Sequence, residues 1–268
     1  MWKIALNIII IYLVISAFLY LFQRNLIYFP VQYSPTPKEA GVPEMQVVRM
    51  QTEDGFSIKG WYRAPIKEGQ PTLVYFHGNA GHIGHRGMIV KPFLDKGYGV
   101  LLLTYRGYSG NPGKPSEQGL YADARAAMQF LKEKGVSDRC IVLYGNSIGA
   151  AVAIQMVTEF DVGAIVLQSP FTSLPDVGQY HYRFWPVKWF AWDQYNSLEK
   201  AEKVKAPVFI LHGESDRIIP SKFSRILFEA LNEPKEAKYI PDRGHNDLFK
   251  PDLVLDFIDR HVECEDAT

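Results

Sequence analysis

A short turn between a strand pattern and a helix pattern constrains the fold more than any other feature of the chain. The turn lies in residues 143–151, Leu-Tyr-Gly-Asn-Ser-Ile-Gly-Ala-Ala. The apolar run Cys140 to Tyr144 is typical of a buried strand, and the periodic run Ile148 to Phe160 is typical of a helix. Further apolar runs alternate with helical patterns at Thr72 to Phe76, Tyr98 to Tyr105, Ala164 to Gln168 and Val208 to Leu211. This alternation predicts an α/β domain with a mostly parallel central sheet flanked by helices.

Ser147 occupies this turn, in the pattern Gly-x-Ser-x-Gly. Gly145 and Gly149 leave room for a sharp, strained turn that lifts the Ser147 hydroxyl above the sheet. The first N–H groups of the following helix point toward the same place, where they stabilise developing negative charge. We therefore interpret Ser147 as a nucleophile and the main-chain N–H of Ile148 as one half of an oxyanion hole.

Asp216 and His245 supply the other groups that a nucleophilic serine needs, a carboxylate and a base. Asp216 follows the apolar run Pro207 to Leu211, and His245 follows the apolar run Ala237 to Ile240. Both are therefore predicted at the C-terminal edge of the sheet. A neutral imidazole accepts the serine proton near neutral pH, which favours His245 as the base. Asp216 is our first choice for the carboxylate, and Asp176 is the alternative.

Five motifs follow one another along the chain. They are His77-Gly78-Asn79-Ala80-Gly81, Tyr105-Arg106-Gly107-Tyr108-Ser109-Gly110, the turn at Ser147, His212-Gly213-Glu214-Ser215-Asp216 and Gly244-His245-Asn246-Asp247. Together they resemble the α/β-hydrolase fold, and more narrowly the Bem46-like and ABHD13/ABHD17-like serine hydrolases, over roughly Glu44 to His261. The resemblance implies an α/β-hydrolase fold and supports the Ser147, Asp216 and His245 triad. It also implies that the Asn79 N–H is the other half of the oxyanion hole.

The N-terminal segment is long and apolar. Ile4 to Phe22 contains no charged residue, and nineteen helical residues span roughly the 30 Å hydrocarbon core of a bilayer. We predict a transmembrane anchor in residues 1–23, with a cleaved signal peptide as the first alternative and a buried helix of a soluble protein as the second. A Pro-rich linker is predicted over 24–43, the hydrolase domain over 44–262 and a polar tail over 263–268. The side of the membrane stays open, because Lys3 and Arg24 flank the segment.

The long connection at about 169–206 is predicted to be a cap insert of short helices. It is rich in aromatic residues, whereas the whole chain is 13% aromatic. Such rings need a partner that buries them, and packing of the insert onto the domain is one solution. The other is that four of the rings overhang Ser147 and form an apolar acyl pocket: Phe184, Trp185, Trp189 and Phe190.

Composition narrows the class of partner and cofactor. The chain has 29 basic and 29 acidic residues, so no net charge favours nucleic acid or polyanions. His77, His82 and His85 are close in sequence, but no carboxylate or cysteine accompanies them, so we predict no metal site and no cofactor. Cys140 lies in a predicted buried strand and Cys264 in the tail, which suggests that they do not pair.

The sequence therefore predicts a membrane-anchored serine hydrolase that cleaves an ester or thioester, of acyl or lipid type, through an acyl-enzyme. Its expected partners are a small acylated substrate and the lipid bilayer. No oligomeric state is indicated. Three alternatives remain open: an amidase or peptidase, an acyltransferase with the same triad, and a binding protein that uses this fold without catalysis.

Overall fold

A mostly parallel sheet forms the centre of the computed structural model, which describes residues 2–264. In chain order the strands are β1 (Phe29–Pro30), β2 (Gln46–Gln51), β3 (Ser57–Arg63), β4 (Thr72–Phe76), β5 (Ala80–Gly81), β6 (Gly99–Leu103), β7 (Ile141–Asn146), β8 (Ala164–Gln168), β9 (Val208–Gly213) and β10 (Lys235–Ile240). Within the described residues, eight of them form one sheet in the order β10-β9-β8-β7-β4-β6-β3-β2. The predicted α/β fold is confirmed, and β2 and β3 form the antiparallel hairpin at its edge.

Helices cover both faces of the sheet. In chain order they are α1 (Trp2–Ile27), α2 (Gly87–Lys96), α3 (Glu117–Glu133), α4 (Ile148–Val157), α5 (Leu174–His181), α6 (Val187–Phe190), α7 (Lys222–Ala230) and α8 (Pro251–His261). Helices α3, α4 and α7 pack on one face, and α2 and α8 pack on the other. Every residue of β4, β6 and β8 is buried, because strands covered on both sides have no solvent face.

Helix α1 is long and apolar enough to cross a membrane. It has 26 residues, or about 39 Å at 1.5 Å per residue, and none of its residues is buried in the protein. It continues to Ile27, four residues beyond the predicted end of the anchor, because the segment after Phe22 keeps a helical backbone with its polar side chains turned toward the insert. The helix is therefore a candidate membrane anchor.

The segment after α1 packs on the domain instead of running as a free linker. Tyr28 and Val42 are buried in the core, and Pro35 and Pro37 are buried as well. Strand β1 pairs in parallel with β5, in a separate two-stranded sheet. The predicted linker over 24–43 was wrong in this respect, because apolar burial and main-chain pairing fix the segment to the domain.

The insert between β8 and β9 contains α5, α6 and a 3₁₀ turn at Leu198–Lys203, as predicted for a cap of short helices. Helix α5 begins at a cap in which Ser173 Oγ accepts the N–H of Asp176 at 3.1 Å. The insert packs beside α1, so the N-terminal helix and the cap are neighbours in space.

The prediction that the cysteines do not pair is wrong. Cys140 and Cys264 form a disulfide, and their Cα atoms lie 5.1 Å apart. Helix α8 ends at His261, and the chain that follows passes the start of β7, which brings Cys264 to Cys140. The predicted tail over 263–268 is thus fixed at its beginning, and residues 265–268 lie outside the described residues.

Candidate active site

Ser147 lies between β7 and α4, with its backbone in a conformation that few residues other than glycine adopt. Its φ angle is +56°, which is strained for a residue with a Cβ atom. A Cβ atom on Gly145 would overlap the main chain of Gly149, and a Cβ atom on Gly149 would overlap Phe76. The two glycines therefore permit the close strand and helix packing that presents the Ser147 side chain.

Asp216 and His245 are in direct contact at the same edge of the sheet. His245 Nδ1 lies 2.6 Å from Asp216 Oδ2. Asp216 Oδ1 accepts the N–H groups of Ile218 at 2.9 Å and Ile219 at 2.7 Å. Burial alone would raise the pKa of Asp216, but hydrogen bonds from His212 and His245 outweigh burial and hold that pKa well below its usual range. Asp216 is therefore a carboxylate near neutral pH, suited to orient the imidazole.

His212 is a further buried neighbour of this carboxylate, to which our sequence interpretation gave no role. Its Nε2 lies 2.8 Å from the Ile219 carbonyl oxygen and 3.4 Å from Asp216 Oδ2. The signal was present in the motif His212-Gly213-Glu214-Ser215-Asp216, where the histidine precedes the acid by four residues. Its contacts join the loop of Asp216 to the end of β9.

Ser147 and His245 line one cavity, together with Asn79 and Ile148. Within residues 2–264 no hydrogen bond joins Ser147 Oγ to His245, and such catalytic contacts often tighten only when substrate binds. The alternative acid is engaged elsewhere: Asp176 accepts a hydrogen bond from Thr172 Oγ1 at 2.6 Å and pairs with Lys188 at 2.5 Å. The geometry therefore favours Asp216 as the partner of His245.

Asn79 lies in the loop that follows β4, where three hydrogen bonds hold it in place. Its side-chain amide donates to the Ile27 carbonyl at 2.6 Å, and its own carbonyl accepts from Phe29 N at 2.9 Å and Tyr108 Oη at 2.6 Å. Ile148 is the first residue of α4, where a main-chain N–H has no intrahelical acceptor. Asn79 and Ile148 line the cavity together with Ser147, and their role as the two oxyanion donors stays a prediction.

His77, at the end of β4, is buried and neutral. Burial and the positive charge of Arg86 lower the pKa of His77 to about 3. Its Nδ1 lies 2.6 Å from the Gly78 carbonyl oxygen, so the ring braces the loop that leads to Asn79. In the described part of the chain, 2–264, no three His, Cys, Asp or Glu side chains are grouped as metal ligands.

The cavity above Ser147 has a volume of about 1150 Å³ and is mostly apolar. Of the four rings predicted to line it, Trp185 and Phe190 do so. Phe184 and Trp189 do not, and their side chains are 83% and 84% exposed. The prediction was wrong for these two because the insert turns them outward, while Phe171 and Ile219 contribute to the lining instead.

Helix α1 contributes to the cavity as well, which the sequence analysis did not predict. Its lining residues are Tyr12, Leu13, Ser16, Ala17, Leu19, Tyr20, Gln23, Leu26 and Ile27. The cavity is therefore bounded by the C-terminal edge of the sheet, by the insert and by the candidate membrane helix.

Comparison with known proteins places the chain among hydrolases. A family model described as serine aminopeptidase, S33 (Hydrolase_4) matches residues 67–193. An uncharacterized protein of Mycobacterium tuberculosis is 41% identical over 253 residues, covering 92% of this chain and 90% of that protein. Protein bem46 of Schizosaccharomyces pombe is 32% identical over 271 residues, covering 92% and 89%. The lysophosphatidylserine lipase ABHD12 of Danio rerio is 27% identical over 274 residues, covering 83% and 72%.

Solved structures agree on the fold. The esterase Pf2001 of Pyrococcus furiosus superposes with a TM-score of 0.72 at 23% identity, covering 88% of this chain and 98% of that one. Identity at this level supports the shared fold alone, whereas the match to bem46 extends along nearly the whole of both chains. A strained serine lies at the turn between β7 and α4, and His245, paired with Asp216, lines the same cavity. Together with the match to bem46, these features show that the chain belongs to the Bem46-like family of α/β hydrolases.

Proposed function

We propose that this hydrolase is a membrane-anchored serine enzyme that cleaves an ester or thioester of lipid type through an acyl-enzyme. The contact of 2.6 Å between Asp216 and His245, whose ring lines the same cavity as Ser147, is the observation that carries the proposal. The volume and apolar lining of the cavity favour a substrate with a large acyl part. The printed activity of the ABHD12 relative, a lysophosphatidylserine lipase, is in keeping with that class.

The mechanism follows from the roles of the three side chains. His245 takes the proton of Ser147 as its oxygen attacks the acyl carbon, and Asp216 holds the imidazole in the tautomer that accepts this proton. The N–H groups of Asn79 and Ile148 stabilise the resulting oxyanion. The imidazolium then protonates the departing alcohol or thiol. Water, activated by the same imidazole, releases the acid and restores Ser147.

Labelling with a fluorophosphonate tests the nucleophile and the substrate class together. The probe is expected to label the unmodified chain and a Ser137→Ala variant, whose exposed serine lies away from the cavity, and to leave Ser147→Ala unlabelled. Competition with long-chain esters and thioesters should slow labelling. Equal labelling of both variants would contradict the proposal, and protection by amides alone would favour the amidase alternative that the serine aminopeptidase match suggests.

The proposed anchor predicts how the chain behaves in membrane fractions. Full-length protein is expected to stay with the membrane through high-salt and alkaline carbonate washes, because the hydrophobic effect holds an apolar span and salt does not screen it. The measurement is the fraction of protein left in the pellet, with a known peripheral protein released as the control. Release of the chain by carbonate, or a mature N-terminus beyond Phe22, would favour the signal peptide.

A further inference from the structure

Helix α1 and Ser147 line the same cavity, so the helix is placed to contact substrate in addition to its proposed role as an anchor. We infer that α1 is a wall of the substrate site and that the acyl chain of the ester lies between α1 and the insert. This inference rests on the proposed acyl-enzyme chemistry and adds the residues that set chain-length specificity. The ligand is a long-chain acyl ester of a membrane amphiphile, taken from the bilayer that surrounds α1.

The lining residues of α1 form one stripe of the helix. They recur at Tyr12, Ser16, Gln23 and Ile27, with their immediate neighbours, at the spacing of three to four residues that places side chains on one face. Val14 and Phe18 lie on the other side of the helix, are exposed and do not line the cavity. One face of α1 is thus committed to the cavity, and the opposite face is left for lipid.

Specific contacts hold this face in place. Trp185 Nε1 donates to Ser16 Oγ at 3.0 Å, and the Trp185 ring stacks on Tyr12 with a centroid distance of 5.7 Å. Nearer the sheet, Arg24 donates two hydrogen bonds of 3.0 Å to the buried carboxylate of Asp193. Asp193 also accepts Tyr28 Oη at 3.0 Å. The insert is therefore tied to α1 at two levels, and the space between them is bounded on both sides.

The geometry gives the acyl chain a direction. The C-terminal end of α1 is next to the reaction centre, because Asn79 donates its side-chain amide to the Ile27 carbonyl. From Ile27 back to Tyr12 the lining runs about 22 Å along the helix axis. One leaflet contributes about 15 Å to the hydrocarbon core. A leaflet-length chain that starts at Ser147 therefore fits along α1, with its end toward the membrane.

Ala17 offers the sharpest test, because a large side chain there would fill the space beside it without touching the triad. We expect Ala17→Trp, in the full chain reconstituted in phosphatidylcholine nanodiscs, to lower the ratio of kcat/KM for p-nitrophenyl hexadecanoate over butanoate at least about tenfold. Burial of each methylene in an apolar site contributes to binding, so exclusion of a few methylenes of the hexadecanoyl chain is enough for a fall of this size. The matched control is Val14→Trp, on the lipid side of the same helix, which should keep the unmodified ratio.

Two outcomes of that experiment overturn the inference. One is an unchanged ratio in Ala17→Trp, which would mean that the acyl chain does not pass α1. The other is an equal fall in both variants, which would mean that the effect comes from helix insertion and not from the cavity face. Either outcome leaves the proposed chemistry intact, provided that Ser147 still reacts with a fluorophosphonate.

A covalent probe tests the same inference without any substitution in α1. A long-chain alkyl fluorophosphonate with a terminal diazirine first labels Ser147, and irradiation then links its far end to the nearest side chains. We expect the crosslinked peptide to come from α1, between Tyr12 and Tyr20, or from the facing part of the insert at Trp185. Crosslinks confined to other elements overturn the inference. Failure of Ser147 to label contradicts the proposed function instead.

Discussion

Ser147→Ala is expected to lower kcat/KM for a short activated ester about a thousandfold or more. Loss of the attacking oxygen removes the acyl-enzyme route, and the residual rate comes from the oxyanion donors and binding alone. His245→Ala should be comparably damaging, because the serine then has no base to take its proton. Steady-state kinetics on p-nitrophenyl acetate measures both losses.

The fold should survive the serine substitution. Alanine keeps the Cβ atom, so the backbone at φ +56° is no more strained than before. An unchanged melting temperature is the control that separates lost chemistry from lost structure. If Ser147→Ala kept more than a tenth of the activity, the nucleophile would have to be another residue.

Asp216→Asn is expected to cost about four orders of magnitude in kcat, the scale seen when an amide replaces the carboxylate of a triad and leaves the histidine in the wrong tautomer. Asparagine is nearly isosteric, so the N–H groups of Ile218 and Ile219 still find an oxygen at Oδ1. The loss should therefore appear in kcat with little change in melting temperature. Kinetics on the same acetate ester provides the measurement.

Asp176→Asn is the matched comparison, and its kcat should stay within about threefold of the unmodified enzyme. Asp176 contacts Thr172 and Lys188 and not His245, so its carboxylate holds residues of the insert together. An ion pair this exposed contributes about 0 to 1 kcal/mol to stability. If the two variants behaved in the opposite way, Asp176 would be the acid and the contact of Asp216 with His245 would be structural.

The sheet, its helices and the positions around Ser147 could be predicted because their signals are local. Strand and helix patterns alternate at short range, and the glycines beside Ser147 are needed by the turn in which they stand. Asp216 and His245 follow their strands directly, so the parallel order of the sheet brings them to one edge. The contact that could not be predicted is that of His212, since its distance to Asp216 depends on how the loop after β9 folds.

The cap could be located from sequence, but its side chains could not be oriented. Helix α6 has only four residues, too few for a periodic pattern to distinguish an inner from an outer face. Trp185 precedes this helix and Trp189 lies within it, so no shared periodicity separated them and both carried the same prediction, although Trp185 contacts Ser16 and Trp189 is exposed. Cys140 and Cys264 are separated by 124 residues, and no local pattern indicates that the chain after α8 returns to β7.

The bond between Arg24 and Asp193 has a consequence for how the enzyme is made. The two residues are 169 positions apart, so α1 leaves the ribosome long before its partner in the insert exists. Ser16 and Trp185 are also 169 positions apart, so Ser16 is synthesised long before its hydrogen-bond donor. Contacts of such high sequence separation form late. An α1 that acts as the proposed anchor enters the bilayer with its cavity face uncovered, so lipid would be the first molecule to contact the surface on which the insert later packs.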